Sequence, residues 1–118
     1  MRIMTNADLV GLLCSTSPAL REARRLHIRN FGSLVPHVFM RDVLARVGHC
    51  LEPGSGQKAR LEEVHGILEI LERGLAEGER TTHDVIALSF VNDAELAGFY
   101  DRLLPLLGPR LQQELRGK

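Results

Sequence analysis

A chain of 118 residues, 44% hydrophobic and 25% charged, has the length and balance of one globular domain, with enough apolar residues for a core that needs no metal or disulfide staple. Its formal net charge of zero conceals a division: the first 60 residues carry nine Lys/Arg and four Asp/Glu, the last 58 carry six and eleven. Four Phe, one Tyr and no Trp predict a largely aliphatic core and remove the aromatic platform of a single-strand nucleic-acid binder.

The start MRIMTNADLV lacks the apolar run and small-residue cleavage site of a signal peptide. No uncharged run approaches the roughly 18 residues that would suggest a membrane span. A cytoplasmic location is the expectation, and Cys14 and Cys50 are expected to be free, buried thiols.

Apolar residues recur at helical spacing along nearly the whole chain. Asn6 or Thr5 can cap a first helix through Leu9, Val10, Leu12 and Leu13. Ser17 followed by Pro18 is a cap plus a first-turn proline, opening a second helix through Leu20 and Leu26 that Gly32 ends. Pro36 opens a third, with Phe39, Met40, Val43, Leu44 and Val47 inward and Gly48 near its end. The stretch EPGSGQ, residues 52–57, reads as a surface loop.

The segment Leu61 to Ala76 is the clearest two-faced helix. Leu61, Val64, Leu68, Leu71 and Leu75 recur at intervals of three and four, Ile67 and Ile70 widen the stripe, and Glu62, Glu63, Glu69, Glu72 and Arg73 take the remainder. Thr81 and Asp84 have capping-box spacing ahead of Val85, Ile86, Leu88 and Phe90. The run Val85 to Val91 is rich in β-formers, but no second strand could pair with it, so a helix is predicted. Asn92 or Asp93 is expected to cap another helix through Leu96, Phe99, Tyr100, Leu103 and Leu104, which Pro105 kinks or ends. Gly108-Pro109 resets the chain for a last helix through Leu111 and Leu115. The fold expected is all-α: a single domain over residues 1–118, built as one compact array of six or seven short helices.

Catalytic and metal-binding patterns are weak throughout. The five histidines, His27, His37, His49, His65 and His83, are separated by 10, 12, 16 and 18 residues, without the close pairs of a zinc site. Structural or surface roles are the expectation, with no cofactor. No serine lies in a G-x-S-x-G elbow, and Cys14 lies in an apolar run. Glu62 and Glu63 point in different directions on a helix and read as a solvated face. The chain has no GxxxxGK phosphate loop and no acidic run with calcium-loop spacing. An enzyme is not expected.

The charged faces carry more information. Arg21, Arg24, Arg25 and Arg29 share one broad face of SPALREARRLHIRN, opposite Leu20, Ala23 and His27. Such a face suits nucleic-acid phosphates, an acidic protein surface, internal pairing with the acidic helices, or solvent. Zero net charge and the missing recognition-helix context disfavour nucleic acid. The acidic half, with Glu62, Glu69, Glu72, Asp93 and Glu95, suits solubility or the docking of a basic protein.

Two stretches, LVPHVFMRDVLARV (Leu34 to Val47) and THDVIALSFVNDAEL (Thr82 to Leu96), together resemble a family of small helical bacterial proteins of uncharacterised function. In it a Leu-Pro-His-aliphatic segment precedes a long helix, followed by a Val-Ser-Phe-like run. Pro36, His37, Phe39, Asp42, Ser89 and Phe90 match the pattern; Arg41, where a small residue is expected, and the Gly-Ser loop after Glu52 depart from it. Some members are regarded as immunity proteins of polymorphic or contact-delivered toxins. The resemblance implies a stoichiometric inhibitor whose partner is a cognate toxin domain. Its contact residues would be Glu62, Glu69, Glu72, Asp93 and Glu95, with Arg41, set against a basic substrate cleft. The alternative is a regulatory or nucleic-acid-associated adaptor using the Arg21–Arg29 face. A small enzyme with a histidine-containing pocket is the third class. Oligomeric state is left open.

Overall fold

A computed structural model describes residues 3–117. It is all-α: α1 (Asn6–Thr16), α2 (Pro18–Phe31), α3 (Pro36–Cys50), α4 (Gln57–Glu77), α5 (Arg80–Asp84), a π-helical stretch (Val85–Val91), α6 (Asn92–Leu96), α7 (Tyr100–Leu103), a 3-10 turn (Leu104–Leu106) and α8 (Pro109–Arg116). Among the described residues, extended backbone pairs at one point, where Met4 accepts from Glu79 N–H and donates to the Glu77 carbonyl, both at 3.0 Å.

The local signals act as expected over the first half. The capping choice resolves to Thr5, whose hydroxyl accepts from Asp8 N–H while the Asp8 carboxylate takes Thr5 N–H. Ser17 caps α2 by accepting from Leu20 N–H, with Pro18 in the first turn. Gly32 ends α2 in the left-handed region at φ 81°, which a Cβ would disfavour. Pro36 opens α3.

The 21-residue α4 is the central strut. Its inward stripe, Val64, Ile67, Leu68, Ile70 and Leu71, is buried, as are Leu9, Val10 and Leu13 of α1 and Phe39, Met40, Val43 and Val47 of α3. Each large side chain withdrawn this fully contributes roughly 1.5–3 kcal/mol relative to exposure. Gly74 does more than weaken the helix: a Cβ there would lie 2.5 Å from Ile86 Cδ1, so the missing side chain lets the π-helical stretch approach α4. One contiguous core runs from Met4 to Leu111, and both cysteines are free within it, their thiols pushed up by burial.

The second half departs from expectation between residues 80 and 103, and the single helix expected through Leu96, Phe99, Tyr100, Leu103 and Leu104 is broken at residues 97–99, between α6 and α7. No cap falls at Asn92 or Asp93, and Thr81 and Asp84 form no capping box; α5, the π-helical stretch and α6 run on as one continuous helix. Thr82 is buried and donates to Asn6 Oδ1 at 2.8 Å, while Asn92 Nδ2 donates to the Leu88 carbonyl one turn back. The π geometry has a readable cause. Its buried side chains, Val85, Ile86, Phe90 and Val91, form two pairs five residues apart; the wider i→i+5 turn brings such pairs closer to one face than an α-helix, which leaves them about 140° apart. Leu88, between the pairs, is 59% exposed.

Candidate functional surfaces

The acidic residues expected to share a docking face are divided by the fold. Glu62 and Glu69 are exposed on the outward stripe of α4, but the same stripe carries Lys58 and Arg73, with His65 between the two carboxylates, so its charge is mixed. Arg73 is also drawn into an i, i+4 pair with Glu77 at 3.3 Å. Glu72 is occupied within the fold. Its two oxygens accept from Arg110 N–H (3.1 Å) and Leu111 N–H (2.7 Å), capping the head of α8 in place of a local side chain. Asp93 is half-buried and Glu95 exposed on α6, which packs on α3, the π-helical stretch and α7. Arg41 is exposed on α3.

Glu63 corrects the reading of Glu62 and Glu63 as a solvated pair. The two do point apart, yet Glu63 turns inward, its side chain only 15% exposed. Arg46 of α3 closes on it with two hydrogen bonds, Nε to Oε2 at 2.6 Å and Nη2 to Oε1 at 2.9 Å. The hydroxyl of Ser17, itself fully buried, donates to Oε2 at 2.7 Å. The Arg46 fork, more than any other contact, holds the Glu63 carboxyl below its ordinary range.

The histidines are dispersed, and among the described residues no three His, Cys, Asp or Glu side chains gather as a metal site would need. His27 is buried between Phe31 (ring centroids 4.8 Å apart) and Phe39 (5.9 Å, edge-on). Its Nε2 accepts from Val35 N–H at 2.9 Å, fixing the corner between α2 and α3. Desolvation pushes the carboxyl of the half-buried Asp42 up. His37 Nδ1 sits 2.6 Å from Ser89 Oγ. That contact joins the two stretches on which the family resemblance rests, while Phe39 and Phe90 of the same pattern are core residues.

The most distinctive surface belongs to α2. Only Leu20 and His27 of its 14 residues are buried. Leu26, expected inward, is 42% exposed because the helix docks on a narrow strip through Leu20, Ala23 and His27. Arg21, Glu22, Arg24, Arg25 and Ile28 line a shallow groove of about 430 Å³. Arg25 is held by Glu22 one turn earlier, its Nε 3.0 Å from Oε2. Arg21, Arg24 and Arg29 form no ion pair with any described residue, so the basic helix is not neutralised by the acidic half. Ile28 and Phe31 stand 41% and 55% exposed among them. Stepping 100° per residue around α2 places Ile28 between Arg21 and Arg24 on one flank of the helix, so this mixture was readable in the sequence.

No protein-family model matches the chain, and no curated protein or solved structure matches it either. No helix among the described residues is long and apolar enough to cross a membrane.

Proposed function

We propose that the protein acts by stoichiometric binding of another protein, and that its partner is a toxin domain which it neutralises as an immunity protein. The observation that carries the binding reading is the surface of α2, where Arg21, Arg24 and Arg29, without an ion pair among the described residues, share the helix with exposed Leu26, Ile28 and Phe31. Exposed large apolar side chains set among arginines are the composition of a protein-recognition surface. The immunity role is supported by the sequence resemblance of Leu34–Val47 and Thr82–Leu96, whose residues His37 and Ser89 meet in space. The fold also supplies a rigid helical frame, suited to inhibition by shape and charge.

The reading is tested with any toxin-like domain encoded beside this chain. The two are co-expressed, and complex formation is measured by size-exclusion chromatography with light scattering. A 1:1 complex that abolishes the toxin's effect on growth is expected. Toxin that runs separately and remains active sinks the immunity role. The competing adaptor reading draws on the same arginines and predicts binding to DNA or RNA that weakens steeply with salt.

A further inference from the structure

We infer that the groove along α2 receives an acidic amphipathic segment of the partner protein, with carboxylates on Arg21 and Arg24 and an apolar side chain over Ile28; this rests on the binding reading above. Arg21, Arg24 and Ile28 follow one another at intervals of three and four, so they form a continuous line along one side of α2. Arg25 and Glu22 satisfy each other across the groove wall, leaving Arg21 and Arg24 with free guanidinium donors in its lining. A partner whose carboxylates recur at helical spacing can match that line. Two features favour an acidic polypeptide over a nucleic-acid backbone. The Glu22 carboxylate lies in the groove wall, where a continuous run of phosphates would meet it. Ile28, 41% exposed, interrupts the arginines of the groove with apolar surface that phosphates leave uncovered.

The probe is a fluorescein-labelled 16-residue peptide with Glu and Leu alternating at intervals of three and four, titrated with the full chain by fluorescence anisotropy. A scrambled peptide of equal composition and a 20-base-pair DNA duplex serve as comparisons. The patterned peptide is expected to bind at least tenfold tighter than either. Arg21→Glu, at an exposed position, should weaken it several-fold, Arg21→Glu with Arg24→Glu tenfold or more, and Ile28→Asp several-fold, with circular dichroism recorded for the double variant because Arg24 is half-buried. Equal binding of the scrambled peptide, tighter binding of DNA, no binding, or indifference to the substitutions each overturns the inference. A 1:1 toxin complex that survives Arg21→Glu/Arg24→Glu overturns the groove assignment alone and leaves the binding function standing.

Discussion

The fork of Arg46 on α3 closes on both oxygens of Glu63 on α4, and the same carboxylate takes the Ser17 hydroxyl from the head of α2. One acidic side chain therefore fastens three helices. Glu63→Ala leaves the arginine partly buried and unpaired and removes one of Ser17's partners; a loss of about 2–3 kcal/mol is expected in urea unfolding. Glu63→Gln, which keeps an acceptor, should lose less.

The same residue gives stability a pH dependence. Its folded value lies below the ordinary glutamate value of about 4.5, so its contribution is complete above that pH and lost as pH falls through the lowered value. Asp42 opposes it: desolvation raises its folded value, so acidification relieves a cost of ionisation. Urea midpoints should fall between pH 5 and pH 3 more steeply in the wild type than in Glu63→Gln. Equal slopes would falsify the assignment.

Glu72 and Gly108 form a second long-range device. A Cβ on Gly108 would stand 2.5 Å from Glu72 Cδ, so the carboxylate would have to shift from its place on the two N–H groups it caps. Glu72→Ala should cost about 1 kcal/mol, the usual value of a lost cap. Gly108→Ala should displace the carboxylate and release α8, read as faster amide exchange at Arg110 and Leu111. Protection there equal to wild type in both variants would refute the cap.

Two helical glycines should respond to alanine with opposite signs. Gly48 is buried in α3 with the Phe99 ring on its Cα, and a Cβ would meet ring carbons at 2.3–2.9 Å. Gly48→Ala should therefore destabilise by about 1–3 kcal/mol through overpacking. Gly11 in α1 has open space at the Cβ position. Gly11→Ala should stabilise by about 0.4–1 kcal/mol. Thermal midpoints moving in the same direction would contradict this account.

His27 is an acceptor by construction, since its Nε2 receives Val35 N–H; the proton of the neutral ring therefore sits on Nδ1. Nitrogen NMR of the imidazole should show that tautomer. His27→Ala removes the acceptor and the ring between Phe31 and Phe39, with an expected loss of about 2–4 kcal/mol. An Nε2–H tautomer would show that the corner is held by something else.

What the sequence made legible was local. The Thr5 or Asn6 alternative, Ser17-Pro18, Gly32 and the apolar seam of α4 act within a few residues, and each lies where its chemistry places it. Glu63 and Glu72 were not legible as internal ligands, because their partners stand 17 to 46 residues away and nothing in a helical face distinguishes a solvated carboxylate from a captured one. The division of charge along the chain did survive folding on α2, where the arginines stay clear of the acidic half. The acidic side did not become one face, because α4 mixes its charges and Glu72 is taken up by the head of α8.

The wide turn at Val85–Val91 behaves as a chain one residue too long for its seat. Excising Leu88 would bring Val85 and Ile86 to four residues from Phe90 and Val91, the spacing an ordinary α-helix serves equally well. The shortened protein should keep its interior while Ser89 turns out of reach of His37. Lineages that differ by one residue at this place would then share a core yet present differently shaped outer walls.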